Sequence, residues 1–345
     1  MLGQIPGGAL SDAIRWKRAL AAIGIPMIGA AALILAFFPT RLFVFAAEIL
    51  HGLTAGIITP AIGAISLGIV GRRAMSSHTG RNYRFAAAGH ALTAAVMGAA
   101  GAYLSESAIF LTAALLCIPA LVALVAIRAE EIDYTRARNA ATGDKAKLAR
   151  LRDLAGNRAL LLFAGCVTLF QLADASMLPL VGETIARQAG AANLQMSSLI
   201  IVPQIVVAIL APWVGYHSEL RGRRPLLLVG FALEPIRAGI LALTTAYPFL
   251  VVVQLLNGIS SAMITVLTVL VITDLTAGTG RFNLAQGTLG ALMGIAASVS
   301  TIGTGYIDEV FGRGAGFMTV GIIALLATGL LWVFQQETKP AEYSD

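Results

Sequence analysis

The chain has 345 residues, of which 57% are hydrophobic and only 12% charged, about half the charge content of a soluble domain. That composition excludes a soluble globular protein and points to the bilayer as its solvent. The net charge of +6 does not call for a nucleic-acid partner, because its meaning depends on where the basic residues fall.

The chain opens directly on apolar sequence, without the basic n-region of a signal peptide, and the stub at 1–13 is too short to cross a membrane. Runs long and apolar enough to span as helices then follow near 19–38, 42–70, 85–103, 108–127, 159–181, 197–216, 226–246, 249–273, 285–306 and 315–335. The predicted fold class is therefore all-α, a polytopic membrane protein with ten full spans. Both cysteines, Cys117 and Cys166, lie inside apolar runs, so neither a disulfide framework nor a zinc site is expected. No glycine-rich phosphate loop, clustered metal-ligand spacing or nucleophile elbow occurs. The sequence thus predicts no enzyme, no catalytic residue, no metal and no cofactor.

The basic residues alternate between connections. Of the 24 Lys and Arg, all but Arg41, Arg187, Arg313 and the intramembrane Arg237 fall at 15–18, 72–84, 128–158, 221–224, 281 and 339. By the positive-inside rule those connections are cytoplasmic, which places the C-terminus inside the cell and the protein in the inner membrane. The longest of them, 128–158, has a turn at Thr142-Gly143-Asp144 and reads as a cytoplasmic linker with short amphipathic helices. It divides the chain into 1–127 and 159–345.

The two parts repeat one another. Glu48-Ile-Leu-His-Gly52 and the residues to Thr59 return as Gln254-Leu-Leu-Asn-Gly258 and the residues to Thr265, and Gly8 to Asp12 answers Gly215 to Glu219. Thr79-Gly80-Arg81 also returns, as Thr279-Gly280-Arg281. Matches in the same order indicate two pseudo-symmetric half-bundles, the plan of a secondary transporter.

At Gly215-Tyr-His-Ser-Glu219-Leu-Arg-Gly222-Arg223-Arg224 the chain resembles the major facilitator superfamily, whose cytoplasmic signature has a glycine, an acid four residues on, and then Gly-Arg-Arg. Gly8-Ala-Leu10-Ser-Asp12 with Arg15, Lys17 and Arg18 resembles the first copy, although Ala13 replaces the usual arginine and Arg15 a glycine. The resemblance implies that the first family helix and most of the second are missing ahead of Gly8. It also implies a monomeric transporter that moves a small-molecule substrate by rocker-switch alternating access. The ionisable groups within the spans and the lack of a nucleotide site make protons the expected coupling ion. The other reading is a non-transporting membrane sensor or a truncated remnant. The Gly-Pro motif of the family's antiporters is absent from 85–103, and Glu48 stands where many drug exporters of the family carry arginine.

A carboxylate at the end of a span can accept hydrogen bonds from the amides that open another helix, where the helix dipole is positive. Asp12 is therefore expected to face the helix start at 282–285 and Arg281, and Glu219 the start near 82–85 and Arg81. With Arg223 and Arg224 these form the expected cytoplasmic gate; the alternative is loop charges that set topology alone.

Ionisable groups inside spans are costly unless they meet a partner or water, so they mark function or a tether between helices. Glu48 and His51 are spaced i, i+3 on one helical face, as are their counterparts Gln254 and Asn257 and the separate pair Gln171 and Asp174. These six are the candidates for the substrate and proton pathway, with Glu48 and Asp174 as its carboxylates. Pro179, shortly after Asp174, is expected to kink the helix. Glu234 and Arg237, again i, i+3, form an expected intramembrane ion pair, read first as structural because relatives use that helix as outer support.

Overall fold

The computed structural model describes residues 3–14, 16–141, 151–186 and 192–339. Arg15, Arg187 and the turn expected at Thr142-Gly143-Asp144 lie outside the described residues. The short helix α1 (Gln4–Ala13) is followed by α2 (Lys17–Phe37), α3 (Arg41–Val70), α4 (Met75–Tyr103) and α5 (Glu106–Ala126). After the central connection come α6 (Arg158–Asp174), α7 (Met177–Ala186), α8 (Ala192–Arg221), α9 (Arg224–Leu243), α10 (Tyr247–Leu275), α11 (Phe282–Phe311) and α12 (Arg313–Phe334). Among the described residues, ten helices are long and apolar enough to cross a membrane, with α6 and α7 counting as one span, Arg158–Ile185.

Local chemistry sets several of the ends. The Ser105 hydroxyl accepts from the Ala108 amide at 3.1 Å and opens α5, and the Asn157 side chain accepts from the Leu160 amide at 3.0 Å and opens α6. Pro179 has no N–H to offer the carbonyl four residues back, and the helix is interrupted there, between Asp174 and Met177. The break leaves Asp174 as the last residue of α6. In the central connection the described residues form 3₁₀ turns at Ala129–Glu131, Arg136–Arg138 and Leu151–Asp153 in place of the amphipathic helices expected there.

The chain groups into two compact units. One comprises Met1–Met75, Val96–Gly156 and Leu275–Ala291; the other comprises Ser76–Ala95, Asn157–Asp274 and Leu292–Asp345. Within the first, α2 packs against α3 and α5, and α1 lies on α3 through facing glycines: a Cβ on Gly7 would stand 2.6 Å from the Gly56 carbonyl oxygen. Within the second, α12 packs against α6 and α9, and α7 is sunk into an apolar core of Met177, Leu180, Val181, Leu241, Leu250 and Phe317.

The repeat is visible in packing, with one correction. Gly8 and Gly287 are pressed together within the first unit, where a Cβ on Gly287 would lie 3.2 Å from the Gly8 Cα and a Cβ on Gly8 would lie 3.1 Å from the Leu284 Cα. In the second unit a Cβ on Gly215 would lie 2.5 Å from the Ser76 carbonyl oxygen and 3.3 Å from the Gly80 Cα. The counterparts therefore run 8 to 215, 76 to 283 and 80 to 287. By this alignment the partner of Gly80 is Gly287, and the Thr-Gly-Arg match is not a structural one. Thr79-Gly80-Arg81 is inside α4, whereas Thr279-Gly280-Arg281 forms the turn ahead of α11, where Gly278 and Gly280 take φ of +74° and +71°.

Candidate functional site

Asp174 of α6, Glu234 of α9 and Asn257 of α10 converge on Arg237. Arg237 projects from the fourth turn of α9 and is 1% exposed, as is Glu234 three residues earlier. Its Nη1 donates to Asp174 Oδ1 at 2.5 Å, to Glu234 Oε2 at 3.1 Å and to Asn257 Oδ1 at 3.1 Å. Asn257 in turn donates from Nδ2 to Gln254 Oε1 at 3.2 Å and accepts from the Ser261 hydroxyl at 3.2 Å. Two groups that sequence spacing keeps apart, the pathway candidates Asp174, Gln254 and Asn257 and the ion pair Glu234 and Arg237, thus form one network. Gln171 lies one turn before Asp174 and is half-buried.

The network has an odd charge count. One guanidinium faces two carboxylates, leaving an excess of one negative charge in a buried site, and the cost of such an excess favours uptake of a cation. It is also under-bonded: among the described residues, Glu234 Oε1, Arg237 Nε and Gln254 Nε2 are buried with no hydrogen-bond partner. Among the described residues no cluster of His, Cys, Asp and Glu has the geometry to hold a metal ion.

The first-half counterparts are placed differently. Glu48 and His51 lie on α3, exposed, with no hydrogen bond or ion pair among the described residues.

At the signature, Asp12 is buried and accepts from the Leu284 amide at 2.8 Å, from the Asn283 amide at 3.3 Å and from Asn283 Nδ2 at 2.7 Å. It therefore caps the first turn of α11. Arg281 does not join it. That guanidinium turns to Asp153, 3.7 Å from Oδ2 and 3.4 Å from the carbonyl oxygen, because the turn ahead of α11 directs it towards the central connection. The second copy also differs from expectation. Helix α4 begins at Met75, so no helix starts near 82–85, and Arg81 is an exposed residue in its second turn. Glu219 is half-buried with no partner among the described residues.

Arg223 and Arg224 open α9. Arg223 Nη1 donates to the Ser218 carbonyl at 2.5 Å and Nε to Asp274 Oδ2 at 3.2 Å. Arg224 Nη2 donates to the Trp332 carbonyl at 2.7 Å. Sequence reasoning missed their companion, Glu337, whose carboxylate accepts from the amides of Arg223 at 2.8 Å and Arg224 at 3.0 Å. The only signal for it was an acid just beyond the last apolar run.

A family model described as Major Facilitator Superfamily matches residues 1–183 and again 163–344. The chain belongs to the major facilitator superfamily. Two proteins from strains of Mycobacterium tuberculosis, each described as an uncharacterized MFS-type transporter, are 35% identical over 348 residues, covering 99% of this chain and 83% of each relative. Among solved structures, the proton:xylose symporter XylE aligns with a TM-score of 0.69 at 16% identity over 98% of this chain and 85% of its own. The E. coli fucose:proton symporter FucP aligns at 0.69 and 12% identity over 98% of this chain and 88% of its own. The human organic anion transporter MFSD10 aligns at 0.67 and 17% identity over 95% and 80%. These likenesses fix the major facilitator fold, and the family makes the protein a multi-pass membrane transporter.

Proposed function

We propose that the protein is a secondary active transporter of the inner membrane that moves a small solute by alternating access, with its halves 1–127 and 159–345 rocking about the linker 128–158, and that a proton is the coupling ion. The observation that carries the coupling is the buried Asp174–Arg237–Glu234 cluster, whose single excess negative charge is neutralised by one proton. The cluster ties α6, at its break, to α10 and to α9. Gain or loss of the proton would loosen or tighten the Asp174 contact at that break and so bias the rocking of the halves. Asp12 on the first turn of α11 serves as a gate on the linker side, which the distribution of basic residues makes cytoplasmic. The names of the structural neighbours, two sugar:proton symporters and an organic anion transporter, support a small polar solute.

The test is transport by the purified protein in proteoliposomes with a pH-sensitive dye inside, screened against pentoses, hexoses and organic anions under an imposed pH gradient. Solute-dependent proton movement that is lost in Asp174→Asn or Glu234→Gln, and retained in Glu48→Gln, is the expected result. Proton movement retained in both of the first two variants would remove the cluster from the coupling path. Absence of any solute-dependent signal across the panel would favour a non-transporting role.

A further inference from the structure

Residues 132–140 form a connecting segment that is half-buried, with Asp133 and Arg136 exposed, although loops ordinarily run over the surface with their backbone in water. Ile132, Ala137, Arg138 and Asn139 are all covered. The two faces of the segment differ in chemistry. One is apolar and seated on α2 and α3, where Ile132 and Ala137 join Ala21, Ala61, Ala64 and Ile65 in one cluster. There Gly68, near the end of α3, has no room for a Cβ, because the Ala137 Cβ and the Asp133 carbonyl oxygen stand 3.0 and 3.1 Å from where it would be. The Asp133 amide donates to the Gly68 carbonyl at 3.1 Å.

The other face is polar and grips the turn ahead of α11. Asn139 Nδ2 donates to Thr276 Oγ1 at 3.2 Å, the Gly280 amide donates to the Asn139 carbonyl at 3.4 Å, and Ala140 bridges Gly278 and Thr279. Asn139 holds φ of +58°, the sole positive value at a non-glycine residue among those described, a conformation that asparagine tolerates better than most. Asn283 joins this grip to the Asp12 contact, since its Nδ2 donates both to Asp12 Oδ1 at 2.7 Å and to the Ala137 carbonyl at 3.0 Å.

We propose that residues 132–140 are a strap that stays seated on α2 and α3 and releases the turn ahead of α11 whenever that end of the bundle opens, with Asn283 the shared donor through which strap and Asp12 let go together. The direction of release follows from the two faces. Parting the apolar seat exposes buried hydrocarbon with nothing in exchange, whereas the hydrogen bonds of the polar face are replaced by bonds to water at a small net cost each. The proposal rests on the alternating-access reading, but its test does not need a transported solute.

Amide hydrogen exchange on the full chain in lipid nanodiscs separates the two faces, with α12 amides as the reference for an intact fold. Asn139→Gly keeps the left-handed backbone and deletes the bond to Thr276; Asn283→Ala deletes the bonds to Asp12 and Ala137 but leaves the Leu284 amide facing Asp12. Each is expected to speed exchange of the Gly280 to Leu284 amides by about five-fold or more, with the Asp133 and Ala137 amides within about two-fold of the parent. Equal acceleration of both sets would mean that the strap leaves its seat as well, and no acceleration would mean that it does not hold the turn. Either result overturns the proposal while leaving the proteoliposome test of transport standing.

Discussion

Arg237 and Asp174 are 63 residues apart in the chain, yet the guanidinium Nη1 and the carboxylate Oδ1 meet at 2.5 Å, with Arg237 1% exposed. The contact crosses from α9 to the last residue of α6, just where the helix is interrupted. A buried charge on α9 is thereby joined to the break that follows α6.

Removing the arginine leaves two carboxylates, Glu234 fully buried and Asp174 partly so, without their counter-charge. Arg237→Leu is expected to cost about 3–5 kcal/mol of stability, read by thermal unfolding in detergent. The double variant Arg237→Leu with Glu234→Leu should recover most of that loss, because the fully buried one of the two orphaned charges goes with it while Asp174 keeps some contact with solvent. A double variant no more stable than the single one would show that packing around Arg237, not charge balance, sets the cost.

Close approach of helices makes some glycines irreplaceable and others not. Gly80→Ala is expected to destabilise by about 1–3 kcal/mol, since the added methyl would sit 2.7 Å from the Ala211 carbonyl and 2.9 Å from the Pro212 Cα. Gly89→Ala, in the same helix with nothing within 4 Å of the new carbon, should be neutral or stabilise by up to about 1 kcal/mol. Thermal unfolding of the two variants side by side is the check.

Burial raises the Asp12 carboxyl from its ordinary 3.8 to about 6, against the opposing pull of the Leu284 and Asn283 hydrogen bonds and the Lys17 charge. The sign follows from the two states. A released, solvated Asp12 takes up its proton near 3.8 and the capped one near 6, so between those values the capped form binds the extra proton. Lowering the pH from 7 towards 5 should therefore favour the capped form, seen as slower Leu284 amide exchange after correction for the intrinsic rate. In Asp12→Asn the pH dependence should vanish.

The charge distribution makes a topological prediction that does not depend on any contact. With Cys117 and Cys166 replaced by alanine, a cysteine at Thr142 should react with a membrane-impermeant maleimide in inside-out vesicles and not in intact cells. Reaction in intact cells would invert the orientation.

The spans were legible because an apolar run has one stable form in lipid, and the break at Pro179 because proline removes a donor. The start of α4 was not. Met75-Ser-Ser-His-Thr-Gly-Arg81 reads as a polar connection, but α4 is a 29-residue helix, about 44 Å at 1.5 Å per residue, longer than a hydrocarbon core of about 30 Å. Its polar first turns need not lie in hydrocarbon, so apolarity cannot mark where they begin. The repeated Thr-Gly-Arg misled for the same reason, since three small or charged residues serve as well within a helix as before one. Of the cluster around Arg237, the pair with Glu234 was readable from i, i+3 spacing, whereas the reach to Asp174 and Asn257 depends on how three helices are set side by side.

Glu337 stands just beyond α12, and its carboxylate occupies the amides that open α9, a site so close that Gly222, at φ of +90°, has no space for a side chain. Four backbone hydrogen bonds, from Arg223, Lys339, Arg224 and Thr338, outweigh partial burial and hold this carboxyl below its ordinary 4.5. The described residues just after α12, as far as Lys339, are thus part of the fold of α9. An affinity tag or fluorescent fusion joined at Phe334 would strip that helix of its counter-ion, so reporters belong after Lys339, and a shortened form that fails to express would speak to this contact and not to transport.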